Sequence, residues 1–302
     1  MKIMLFFSCL IATLPSLAQV PDTDIFGCDL QIGKRGLPIL GEPYNITQRK
    51  GYDNQPCFIN DREMLYVAMD TAGKQSDIYW YGGTAKPRPV TDTDSTSEFS
   101  PRITADGKHI TAVLIERDGT SQRLWQYPVQ GISDESRAQL WLRGTDPSRY
   151  KIGYYCPIGH DTIAAFVLGT PFTLQIFSRS DTVGHIVASH IGRCLQAIPN
   201  KRVISFVQDM GKGKKVLKQL NVSTLDIQTI ATMPPDAEDY AYLPNGNILS
   251  SVGSKLWLYD PQKPNRQWQL VADWAAKGIK KMTRIAVSPS GKKIAIVAET
   301  AH

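Results

Sequence analysis

The chain has 302 residues, with 34 Lys and Arg against 28 Asp and Glu, for a formal net charge of +6. That surplus is mild, and no arginine-rich stripe or aromatic-interleaved basic patch goes with it, so a nucleic-acid partner is not expected. Length alone allows two domains, but a repeat that fills the chain from residue 19 onward makes it one.

The first eighteen residues read as a cleaved secretory signal. Lys2 is the short positive segment, Ile3 to Leu14 is almost wholly apolar, and Ser16-Leu17-Ala18 offers small residues for cleavage. The apolar run is too short to span the roughly 30 Å of a bilayer's hydrocarbon. Cys9 lies inside that run, whereas a lipid-modified cysteine follows it. No later segment is apolar enough to cross a membrane. The expected location is outside the cytoplasm, periplasmic or secreted.

The repeated phrase is a β-rich run, a polar turn, then a second β-rich run. Turns at Asp61, Gly107, His160, Asn200, Gly246 and Gly291 follow one another at steps of 46, 53, 40, 46 and 45 residues. A strand-built period of this size indicates a β-propeller. In chain order, the runs after the turns are Met64–Ala68, Ile110–Leu114, Ile163–Val167, Val203–Val207, Ile248–Ser250 and Ile294–Val297. They are short, β-branched and bounded by turn residues, as strands are. Third strands carry matching aromatics in Ile78-Tyr79-Trp80-Tyr81, Leu124-Trp125-Gln126-Tyr127 and Leu256-Trp257-Leu258-Tyr259, which are expected to pack between blades.

The last repeat, from Met282, has only two strands. Asp24-Ile25-Phe26 matches Asp77-Ile78-Tyr79, and Tyr44-Asn45-Ile46-Thr47 matches Arg88-Pro89-Val90-Thr91. Residues 24–50 are therefore expected to complete the blade begun at 282–302 and to close the ring, which removes exposed sheet edges. The predicted fold is an all-β propeller of six four-stranded blades, one domain over residues 19–302.

This pattern resembles the TolB-like propellers with WD-like repeats. The resemblance rests on Ser100-Pro101 with Asp106-Gly107-Lys108, on Val287-Ser288-Pro289-Ser290-Gly291-Lys292-Lys293, and on Asp77-Ile78-Tyr79 with Val90-Thr91-Asp92. It implies a bacterial exported protein that binds partners in the cell envelope. The repeats begin within a few residues of the signal, so the separate N-terminal domain of TolB is not expected. In such a bacterial protein the sequons at Asn45 and Asn221 are chance matches.

No catalytic or metal set stands out, and no cofactor is expected. There is no Gly-x-Ser-x-Gly elbow. His185 and His190, five residues apart on extended segments, do not converge as a helical pair would. Asp92-Thr93-Asp94 lacks the glycine and distal glutamate of a calcium loop. Lys212, Lys214, Lys215 and Lys218 flank a Gly211/Gly213 turn and read as a solvated hairpin tip. After cleavage Cys28, Cys57, Cys156 and Cys194 remain, which permit three pairings. Cys156 and Cys194 occupy similar places in consecutive repeats and could be bridged across two blades; four free thiols is the equal alternative.

In a propeller the innermost strands line a central channel, where ligands commonly meet its mouth. The residues that start those strands are Asn54, Glu98, Tyr154, Arg193, Glu238 with Asp239, and Thr283 with Arg284. Their mixture of acids, arginines and a tyrosine suits a polar or peptide-like ligand, or else a set of ion pairs between blades. The expected function is non-enzymatic binding of a protein, peptide or envelope component. The alternative is an enzyme acting on glycans, a lyase or hydrolase. The feature that separates the two is whether Glu98, Glu238 and Asp239 converge with a histidine or a metal.

Overall fold

The computed structural model describes residues 21–69, 74–83, 86–129, 138–199, 201–264 and 267–299. The signal expected at residues 1–18 and the turn residue Asn200 lie outside them. Second strands are apolar at consecutive positions rather than alternate ones: all of Met64–Ala68 and of Ile110–Leu114 is buried. A strand buried on both faces must be covered on both faces. Stacking the sheets radially provides that cover.

Six antiparallel sheets result. Blade 1 comprises Asp53–Phe58, Met64–Met69, Ser76–Tyr81 and Arg88–Pro89. Blade 2 comprises Ser97–Ile103, His109–Ile115, Gln122–Pro128 and Gln139–Leu140. Blade 3 comprises Ile152–Ile158, Thr162–Val167, Thr173–Ser178 and His185–Ser189. Blade 4 comprises Ile191–Ala197, Val203–Asp209, Lys215–Asn221 and Ile227–Thr232. Blade 5 comprises Tyr240–Tyr242, Ile248–Val252, Lys255–Tyr259 and Gln269–Asp273.

Blade 6 joins the two ends of the chain. Lys281–Val287 and Lys293–Glu299 supply its inner strands, and Thr23–Ile32 adds the third, paired from Thr23↔Glu299 to Asp29↔Lys293. The fourth position is shared. Pro38–Leu40 pairs the far end of Thr23–Ile32, and Tyr44–Asn45 pairs Phe26 and Gly27. Tyr44 lies close over Gly27: an added Cβ would stand 2.6 Å from Cζ of Tyr44, so the ring would have to shift. Ser290 donates a hydrogen bond to Asp61 of blade 1, and Asn247 Nδ2 donates to the Gly36 carbonyl, so blade 6 is tied on both sides.

The core is divided among the blade junctions. Ile25, Tyr66 and Val297 pack between blades 6 and 1, and Leu65, Ile78 and Ile110 between 1 and 2. Val113, Ile163 and Phe177 fill junction 2/3, and Phe166, Leu174 and Phe206 junction 3/4. Val207, Leu217 and Ile248 fill 4/5, and Leu249, Leu256 and Ile296 fill 5/6. Trp80 and Trp125 pack against the 1/2 cluster, as their repeated offset suggested. Tyr155 of blade 3 donates to the Thr111 carbonyl of blade 2 at 2.8 Å, and the Tyr240 hydroxyl of blade 5 lies 2.8 Å from Ser205 Oγ of blade 4.

The Cys156–Cys194 bridge is not formed; all four described cysteines are free thiols. The two side chains point the same way around the ring. Cys156 enters the 3/4 cluster and Cys194 the 4/5 cluster, where its thiol donates to the Tyr240 carbonyl at 3.3 Å. A disulfide needs side-chain vectors that face each other. Burial pushes all four thiols up from their ordinary range. Among the described residues, no helix is long and apolar enough to cross a membrane.

Candidate functional site

The innermost strands are not regular. In five of the six blades the register shifts near the channel: at Asn54/Cys57, Phe99/Arg102, Ile152/Tyr154, Ile191/Leu195 and Met282/Arg284. Such bulges bend a strand and re-aim the side chains that follow. Gln55 and Ser100 sit inside two of them with φ of 55° and 53°, left-handed values uncommon outside glycine. The Ser100 N–H donates to Gln55 Oε1, linking the two bulges.

The channel holds two cavities, of about 560 and 630 Å³. Tyr154, Arg193, Asp239 and Arg284 line both of them, and so form the waist between them. Arg284 Nη2 donates to the Tyr154 hydroxyl at 3.0 Å, and Nη1 lies 4.0 Å from Asp239 Oδ2. Arg193 Nη2 donates to the Thr283 carbonyl at 2.9 Å and lies 3.5 Å from Glu238 Oε2, a carboxylate that Lys215 approaches at 3.9 Å. Both arginines are left with a buried Nε–H that meets no acceptor. Burial pushes the Asp239 carboxyl up, while Arg284 and Arg193 hold it down; its Oδ1 accepts the Ile285 N–H at 3.1 Å. Burial likewise raises the Tyr52 phenol, against the pull of Arg284.

Asn54, Tyr154, Arg193, Glu238, Asp239 and Arg284 line the larger cavity together, with Thr283. Glu98 does not line either channel cavity. It is fully buried at the junction of blades 1 and 2, where Thr96 donates to it at 2.9 Å and Thr91 and Thr93 at 3.3 Å. Burial, with the nearby charge of Asp77, pushes its carboxyl up to about 7. The bulges give the reason for its position. Aligning Asn54/Cys57 with Phe99/Arg102 makes Glu98 the counterpart of Asp53, not of Asn54. A one-residue difference in register moves a side chain to the opposite face.

Reading strand starts alone missed Tyr52, Gln55, Arg102, Lys215 and Tyr242, which also line the cavities. The signal for Arg102 lay in the repeated phrase itself: Ser100-Pro101-Arg102 matches Gln55-Pro56-Cys57. Among the described residues, no histidine lines either cavity. Among the described residues, no three His, Cys, Asp or Glu side chains are grouped to hold a metal ion.

No family model matches the chain, and no curated protein matches its sequence. Solved structures do match its fold. A protein assigned as TolB from Agrobacterium tumefaciens superposes with a TM-score of 0.68 at 13% identity, over 93% of this chain and 99% of that one. An oligogalacturonate lyase in complex with manganese gives 0.55 at 11%, over 94% and 99%. TolB from Acinetobacter baumannii gives 0.53 at 12%, over 92% of this chain and 65% of its own. At such identities the likeness speaks to fold, which proteins of different function share. This chain is a six-bladed propeller of the TolB-like fold.

Proposed function

We propose that the protein is an exported, non-enzymatic binding propeller whose channel mouth receives a polar protein or peptide segment of the cell envelope. The observation that carries this reading is the waist. Arg193 and Arg284 each keep a buried Nε–H without an acceptor. A buried donor left unpaired costs about 1–3 kcal/mol, and a bound segment with carbonyl or carboxylate oxygens would recover that cost. The likeness to TolB structures agrees with a partner in the envelope.

The test is a capture experiment with residues 19–302 as bait in envelope extract, comparing wild type with the double variant Arg193→Ala/Glu238→Ala. We expect the wild type to retain a specific protein and the variant to lose at least tenfold, with both melting within a few degrees of each other. Equal capture by both, or a collapsed melting temperature with unchanged capture, would overturn the reading and leave these residues as struts between blades.

The second reading, an enzyme acting on glycans, is favoured by the fold shared with an oligogalacturonate lyase over 94% of this chain. Release of unsaturated or reducing sugar from oligosaccharides by the purified protein, abolished by Asp239→Asn, would put that reading first.

A further inference from the structure

The smaller channel cavity has an unbalanced charge. Three guanidinium groups line it, those of Arg102, Arg193 and Arg284, against the single carboxylate of Asp239. They come from the innermost strands of blades 2, 4 and 6, and so from alternate blades around the ring. Arg193 and Arg284 are partly satisfied, by the Thr283 carbonyl and Glu238 and by Tyr154 and Asp239. Arg102 has no such partner: its guanidinium makes no hydrogen bond or ion pair among the described residues and lies over the Tyr155 ring at 5.9 Å from the centroid. Its surroundings include Cys57, Cys156 and Cys194, whose raised thiols are neutral.

The repeat does not require an arginine at this place. Blade 1 puts Cys57 at the position after its bulge where blade 2 puts Arg102. Like charges gathered in a concave site with low-dielectric walls repel each other and strengthen the field felt by an incoming anion. A planar guanidinium matches a carboxylate in two-point geometry.

We infer that this cavity is a carboxylate-binding site, in which Arg102, Arg193 and Arg284 together hold an acidic group of the bound peptide segment. The inference rests on the binding reading above and deepens it by naming what the segment presents. The carboxylate has two sources, an Asp or Glu residue or the free C-terminus of a peptide, and the site serves either. Arg102 is the discriminating residue, because its replacement removes charge from the cavity without breaking any hydrogen bond or ion pair among the described residues, only its contact with the Tyr155 ring.

The experiment is calorimetric titration of residues 19–302 at low and at physiological salt. The probes are acetyl-(Asp)4-amide, free-acid tetra-alanine, acetyl-(Ala)4-amide and trigalacturonate. We expect one site per protein molecule for a carboxylate-bearing peptide, no binding of the blocked neutral peptide, and weaker binding at higher salt. Arg102→Gln is expected to lose at least tenfold in affinity at an unchanged melting temperature, and Arg102→Lys to retain part of it. Binding of the acidic blocked peptide assigns the side-chain source, and binding of tetra-alanine assigns the C-terminal one. Equal binding by wild type and Arg102→Gln, equal binding of the neutral peptide, or binding of the acidic sugar alone would each overturn the inference. The two readings fail separately. Envelope capture that survives Arg102→Gln, with no peptide binding by calorimetry, would retain the binding propeller and reject the carboxylate site. Arg102-dependent peptide binding with no envelope capture would do the reverse.

Discussion

Two equivalent carboxylates are neutralised in different ways. Asp53, at the start of the blade 1 inner strand, accepts from Arg49 Nη2 at 2.6 Å, and its carboxyl is nevertheless pushed up to about 6 by burial. Glu98, its counterpart in blade 2, has only threonine hydroxyls and the neighbouring Asp77, and rises to about 7. A folded-state pKa above the unfolded value means that the native protein holds the proton more tightly. Stability from this group is therefore full below about 4.5 and declines as pH rises towards 7, by up to about 1.4 kcal/mol per pH unit. Thermal melts are expected to show lower stability at pH 8 than at pH 5, and Glu98→Gln should flatten that slope. Arg49→Gln should steepen it, because Asp53 would then need a proton where it now has a guanidinium. If Glu98→Gln left the slope unchanged, another group would own it. Nothing in the sequence separates the two carboxylates: Asp53 and Glu98 are both acids at strand starts, and only the partner residues, 49 on one side and 91, 93 and 96 on the other, set their protonation.

At the level of the strand, the legible part was the apolar pattern and the hidden part was the register at the channel. Apolar runs such as Met64–Ala68 announce burial because every position agrees. The bulges do not, since Gln55-Pro56 and Ser100-Pro101 read as ordinary turn residues. The outermost position of blade 6 was also only half legible: Tyr44–Thr47 matched a fourth strand, whereas Pro38–Leu40 pairs there too. The reason is local packing. Tyr44 lays its ring on Gly27, and the loop before it folds back along Thr23–Ile32. Gly27→Val is expected to destabilise by about 1–3 kcal/mol, the usual cost of overpacking. In a Tyr44→Ala background the same substitution should cost much less, a coupling that a double-mutant cycle of denaturant melts would measure. Additive costs would mean that the ring and the glycine do not meet.

For the molecule as a whole, the period of 40–53 residues sufficed to count the blades, and the unmatched halves at each end sufficed to pair them. Which face of each inner strand meets the channel did not follow, because that depends on one-residue shifts that leave the period intact. The ring has six junctions with an apolar cluster in each, so removing one sheet strand exposes two neighbours at once. Deletion of residues 21–50 takes away the third and outer strands of blade 6 together with Ile25, Phe26 and Leu30. We expect loss of a single cooperative melt by calorimetry; a truncated protein that melts like the full one would contradict closure through these strands.

The pairing of Thr23 with Glu299 also decides how the ring answers to tension. These residues lie at the same end of their ladder, which runs for seven pairs to Asp29↔Lys293. A pull applied between them loads the hydrogen bonds one after another, as in a zipper, whereas a pull between Asp29 and Glu299 would load them all at once in shear. A protein held at these two residues thus opens along its own seam in blade 6, while the hydrogen bonds from Thr23 to the Gly51 and Asp53 carbonyls pass part of the load to blade 1.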